Sequence, residues 1–249
     1  MKSRTPLAAA LLLAGFLYPA HAADDISKIR ACTQLFAGKT SYGPGIKGVS
    51  QPACFWKKRA LKVRFLEGDP VVREKVRKIA TEWTQHSGVR LVFGDFPDAD
   101  IRITFQPTGS WSYVGSCQYD LKPNQATMNF GWLFPETPDI EYRRVVLHEF
   151  GHSLGLVHEH QHPKGKIPWD EKAVFAYYRQ QGWNETKTRQ NVLEKYSEGE
   201  TNFTEYDRTS IMQYPIPREL LATGGFEVGL NSDLSELDKK FVMEQYGNK

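Results

Sequence analysis

The sequence predicts an α+β protein, and three observations carry that prediction. Between residues 60 and 130 the apolar spacing runs from period two to helical and back to period two, as a strand, a helix and further short strands would require. A second helical segment opens after Pro138 and closes at Gly155, with His148, Glu149 and His152 inside it. Beyond His158 the chain becomes less regular until a terminal helix. The expected architecture is an N-terminal lobe of a twisted mixed sheet with two helices, a histidine-bearing helix, and a less regular C-terminal lobe with a terminal helix.

Taken in order, residues 1–22 read as a signal peptide. Lys2 and Arg4 precede an apolar run from Leu7 to Tyr18 that is too short to span a bilayer, and Ala20 and Ala22 suit cleavage after Ala22. Residues 23–55, with the run SYGPGIKGVSQP, read as an irregular N-terminal arm or short prosegment. Order starts near Trp56. In Ala60 to Leu66, Leu61, Val63 and Phe65 alternate with Lys62 and Arg64, a strand with one buried face that Gly68, Asp69 and Pro70 close. Val72, Val76, Ile79, Ala80 and Trp83 then recur at helical spacing, with Gly88 as the stop.

Val89 to Phe93, Ile101 to Phe105 and Ala126 to Phe130 read as short strands. The stretch from Gly109 to Gln125 is too rich in Gly and Ser for a regular element and reads as a loop overhanging a cleft, with the following strand as an edge that could hydrogen-bond an extended peptide. Pro135 and Pro138 delay the next helix to Asp139 or Ile140. A further helix is expected from about Trp169 to Gln180, then a polar connection to about Tyr206 with sequons at Asn184 and Asn202. Ser235 and Asp238 have capping-box spacing at the start of a helix running to Tyr246.

Without Lys2 and Arg4, 30 of the 32 basic residues remain against 29 acidic ones. Charges of both signs are interspersed and no basic stripe is interleaved with aromatics, which argues against a nucleic-acid partner. After signal removal no apolar run is long enough to cross a membrane. Cys32, Cys54 and Cys117 are an odd set, so one pair and one free thiol is the default. A Cys32 to Cys54 bridge and a bridge to Cys117 are equally allowed. A thiolate latch of Cys32 or Cys54 on a metal is the sharper alternative to a disulfide or a buried thiol.

The chemistry concentrates in HEFGHSLGLVHE, residues 148–159. On a helix, His148 and His152 sit four apart on one face and can converge on one divalent ion. Glu149 is offset from them, toward the position of a water. Gly155 permits the positive φ that ends a helix, so that His158 can return as third ligand. Three imidazoles leave zinc an open position, whereas structural zinc sites are closed by a fourth ligand and usually contain cysteine. The pattern points to one catalytic Zn2+ with Glu149 as general base. His160 and His162 read as part of a solvent-exposed loop.

This motif resembles the extended zinc motif of the metzincin metallopeptidases. Ser210-Ile-Met212-Gln-Tyr214 is similar to their Met-turn, and Glu159 after the third histidine with a tyrosine two places after the methionine is similar to the astacin branch. Gln213 and Leu156 depart from the usual astacin residues and the paired-cysteine pattern of animal astacins is absent, which places the likeness nearer a bacterial astacin-like or matrixin-like branch. The resemblance implies a zincin-like fold, a catalytic domain over 56–249, Met212 as apolar floor, and Tyr214 as mobile zinc ligand or oxyanion donor. It also implies that Glu159 binds the α-amino group of a processed chain, where a surface charge or a cap partner at the helix end is the plainer reading; Asp69, superficially like the aspartate latch of astacin propeptides, reads as a turn residue because it lies between the first strand and the first helix. A pocket for the residue after the scissile bond is expected near Pro215 to Leu221. The expectation is a secreted or periplasmic monomeric zinc endopeptidase acting on proteins or peptides; the competing class is a secreted zinc-containing binding or toxin-like protein with little turnover.

Overall fold

The computed structural model describes residues 30–35, 54–118, 121–196 and 205–247. The signal-peptide reading, the Gly- and Pro-rich run before Cys54 and the sequon at Asn202 lie outside them. Six strands form one mixed sheet: β1 (Thr33–Leu35), β2 (Ala60–Phe65), β3 (Arg90–Phe93), β4 (Ile101–Thr104), β5 (Trp111–Tyr113) and β6 (Met128–Asn129). Their spatial order is β1-β5-β6-β4-β2-β3, with only the β5–β6 pair antiparallel. β2 keeps the predicted alternation, with Leu61 and Val63 fully buried. In β4 every residue is buried, as expected of a central strand with both neighbours in place.

Helix α1 (Pro70–Ala80) begins at Asp69, whose carboxylate accepts from the backbone N–H of Val71 and Val72, so the expected Gly-Asp-Pro turn also caps the helix. It stops at Ala80 rather than at Gly88. Thr81–Gln85 tighten into a 3₁₀ turn that drives Trp83 into the core, where its indole donates to Leu147 O at 3.0 Å. Helix α2 (Asp139–Ser153) starts behind Pro138 and is buried at nearly every position from Tyr142 onward. Such a helix lies inside the molecule rather than on its surface.

In the C-terminal lobe α3 (Glu171–Gln180) is where the sequence puts it, and α5 (Glu236–Tyr246) has a complete capping box at Ser235 and Asp238. The expected polar connection contains a short helix α4 (Glu185–Thr188), capped by Asn184, and a wide π turn, Arg189–Leu193. Trp183, Val192, Val174 and Tyr178 close a small core beneath it. The larger core is shared by the sheet, α1, α2 and α5.

Three expectations change here. Trp111–Tyr113 is a strand, so the stretch between Gly109 and Gln125 is not wholly loop. The strand near Ala126 shrinks to Met128–Asn129 and lies inside the sheet, so it cannot be the peptide-pairing edge; its antiparallel neighbour β5 is covered by β1 from the N-terminal arm. The disulfide joins Cys54 to Cys117, with Cα atoms 5.0 Å apart, and Cys32 is a free buried thiol. The bridge spans 63 residues. Replacing both Cys54 and Cys117 by Ala should therefore lower unfolding stability by about 4 kcal/mol by the chain-entropy model, measured by denaturant titration.

Candidate zinc site

The end of α2 builds the first half of the site. His148, Glu149 and His152 are all buried within it. Leu154 is the last helical cap and Gly155 follows at φ +96°. Its N–H donates to His152 O at 2.8 Å and the Leu156 N–H to Gly151 O at 3.0 Å, the two bonds of a Schellman motif. A side chain at Gly155 would also strike the Phe55 ring. The reversal has a second effect, because Leu156 O lies 3.0 Å from His152 Nδ1. His148 Nδ1 makes the equivalent bond to Ile211 O at 2.8 Å. Both carbonyls demand an N–H on Nδ1, which leaves each Nε2 as a bare electron pair.

The donor atoms of His148, His152 and His158 lie within 4.8 Å of one another, and the Nε2 atoms of His152 and His158 are 3.1 Å apart. Tetrahedral zinc with bonds of 2.0–2.1 Å asks for a separation of roughly 3.3 Å. Burial holds all three rings neutral, pushing His152 down to about 4 and the other two well below the usual imidazole range. His148 Nε2 has no hydrogen bond. Neutral imidazoles with orphaned, convergent nitrogens fit a divalent ion.

The floor and the turn behind it also form. Met212 is buried, and a side chain at Gly151 would overlap its sulfur at 2.3 Å, so this mid-helix glycine lets the turn close against α2. The glycine inside HEFGH is the sequence signal for that contact. Asp238 organises the turn: its carboxylate accepts from Ser210 Oγ at 2.7 Å, Ile211 N at 2.8 Å and Ser235 N at 3.0 Å. The sequence showed Asp238 only as a helix cap.

Glu149 is sealed from solvent, and neither carboxylate oxygen has a hydrogen bond of ordinary geometry. Burial pushes its carboxyl up to about 8, opposed by the Cys32 thiol lying against it and by the Arg144 charge. Burial and the nearby Glu149 carboxylate push the Cys32 thiol well up in turn. Tyr214 is buried, its ring 4.4 Å from that of His158, and its hydroxyl donates to Cys32 O. The arm thus lies across the site, with Arg144 Nη2 donating to Arg30 O at 3.4 Å. A cavity beside it is lined by Arg144, His148, Tyr178, Tyr214 and Pro215 together with Cys32. Of the stretch expected to form a pocket, only Pro215 reaches it.

Two readings of the neighbouring residues are corrected. His160 and His162 are buried, not part of an exposed loop. His160 stacks 5.0 Å from His158 and 4.3 Å from Tyr214, with Nε2 bonded to Asn191 O at 2.7 Å, because the π turn folds over this segment. Glu159 is not a free surface charge. Its Oε1 accepts from Asp207 N at 2.8 Å, its own N–H donates to Met212 O at 3.0 Å, and burial raises its carboxyl to about 8.

Three convergent histidines behind a buried glutamate, at the foot of a mixed sheet and above a methionine turn, define a zinc metallopeptidase site. The chain belongs to the astacin family of peptidases, whose model matches residues 48–218. Two structures of myroilysin are similar to it: one at 40% identity and TM-score 0.76, covering 79% of this chain and 97% of that one, the other at 36% and 0.64, covering 90% and 93%. The hatching enzyme zinc-protease HCE-1 of the medaka Oryzias latipes shares the fold, at 18% identity and TM-score 0.57 over 79% of this chain and 96% of that one. The zinc metalloproteinase nas-38 of Caenorhabditis elegans is 26% identical over 186 residues, which cover 70% of this chain and 23% of that protein.

Removing the shell behind a ligand should loosen the metal. Asp238→Ala should weaken zinc binding about 10- to 100-fold in a chelator competition, because the Ile211 carbonyl that orients His148 loses its anchor.

Proposed function

We propose that the chain is a secreted zinc endopeptidase made as a latent precursor. The observation that carries this reading is the Glu149 carboxylate, buried without a regular hydrogen bond beside three imidazoles whose ligand nitrogens converge within 4.8 Å of one another. His148, His152 and His158 would hold zinc, which when bound supplies the Lewis acidity that acidifies water and polarises a peptide carbonyl. Glu149 accepts the proton of the attacking water and passes it to the leaving amine. The Tyr214 hydroxyl, released from Cys32 O, is positioned to donate to the oxygen that gains negative charge. Such a base has no purpose in a protein that only binds its partner.

The arm supports the latent state. β1 covers β5, with Thr33 N donating to Ser110 O and Val114 N to Leu35 O, so it fills the edge a substrate backbone would pair with. Cys32 sits over Glu149, where its sulfur is a suitable zinc ligand once ionised. Activation then requires the arm to leave, with Glu159 receiving the new α-amino group, the role that the astacin resemblance implies for it. Residues 1–22 would direct export. Among the described residues no helix is long and apolar enough to cross a membrane.

Glu149→Gln should retain stoichiometric zinc yet lose about 10²- to 10⁴-fold in kcat/KM on a denatured protein; undiminished hydrolysis would remove the base from the mechanism. N-terminal sequencing of the active species should begin beyond Leu35, and a fully active enzyme starting at Ala23 would rule out removal of the arm.

A further inference from the structure

Gln34, two residues beyond Cys32, is 6% exposed and buries its amide in the wall of the C-terminal lobe. Its Nε2 donates to Gln161 Oε1 at 2.8 Å and to the Tyr196 hydroxyl. Gln161 cannot turn to suit another partner. Its own Nε2 is held by Gln190 O at 2.6 Å and Glu194 O at 2.9 Å, and its backbone carbonyl takes the Tyr196 N–H at 3.0 Å. With both amide hydrogens committed, Oε1 is left as an acceptor, facing Gln34 on one side and interacting with the His158 ring on the other. Gln34 Oε1, at the other end of the same amide, is buried with no hydrogen bond. The recess therefore grips the N–H end of a side chain and offers its carbonyl end nothing.

We propose that Gln161 Oε1 and Tyr196 Oη form a side-chain subsite of the substrate cleft, selective for a primary amide and occupied here by Gln34. The inference rests on the peptidase reading above. An extended chain presents every second side chain to the same face, and Cys32, just before β1, and Gln34 within it are both buried, one at the metal site and one at the recess. A substrate replacing β1 along β5 keeps that alternation and presents to the recess a residue two places from the one at the metal. An apolar side chain there leaves a buried acceptor unpaired, while an ammonium or guanidinium is desolvated against neutral partners. An amide of glutamine length avoids both costs.

The test uses the zinc-loaded processed chain, which begins beyond Leu35 and so has lost the occupying Gln34. Fluorescent peptides with the sequence of Arg30–Leu35, Ser replacing the cysteine, and either Gln or Met at the fifth position are titrated into it, and binding is read by anisotropy without any need for hydrolysis. The Gln peptide should bind about tenfold tighter or better, and Gln161→Met or Tyr196→Phe should reduce that ratio to less than about twofold. Tyr196→Phe keeps the ring and carries the comparison should Gln161→Met fail to fold, as judged by zinc content and thermal unfolding. In hydrolysis, kcat/KM should favour Gln over Met and Lys at one position two residues from that at the metal. Equal affinity for the Gln and Met peptides with both acceptors intact overturns the subsite. Selective binding without any hydrolysis instead overturns the peptidase reading and leaves the subsite standing.

Discussion

Everything in the site depends on keeping three imidazoles neutral in a sealed interior. Burial alone disfavours their protonation, but neutrality is not enough, since each ring must also present the correct nitrogen. Backbone carbonyls solve this for two of them: Leu156 O takes the Nδ1 hydrogen of His152 and Ile211 O that of His148. One carbonyl belongs to the chain reversal after α2, the other to the methionine turn. Helix ending, turn geometry and ligand tautomer are therefore one constraint, and the glycines at 151 and 155 are the points where the backbone satisfies it.

The same interior explains the hold of the arm. A buried carboxylate without partners and an edge strand without a neighbour are both unfavourable in isolation. β1 relieves both, placing a thiol against Glu149 and completing the sheet beside β5. Its grip is spread over Arg144, Tyr214, β5 and the Gln161 recess, so no single contact carries it.

Much of this was legible in the sequence where local chemistry decides the outcome. The metal ligands, the start of α2 behind Pro138, the end at Gly155 and the cap of α5 all follow from rules that act within a few residues. What escaped depends on partners distant in sequence. Trp111-Ser-Tyr113 has too little pattern to announce a strand and becomes one because β6 and β1 flank it. His160 and His162 have the composition of an exposed loop and are buried only because a π turn with no periodicity folds over them. The choice of Cys117 over Cys32 as partner for Cys54 could not be made from spacing, since it is set by where the arm crosses the cleft.

Asp238 has a further consequence for how the molecule comes into being. The residue that anchors the methionine turn, and through it the carbonyl that orients His148, stands at the head of α5, well downstream of the histidines it serves. During vectorial synthesis the ligands emerge from the ribosome long before the carboxylate that completes their shell. The histidines of the nascent chain thus precede the carboxylate that completes their outer shell, and the full shell exists only once α5 is in place.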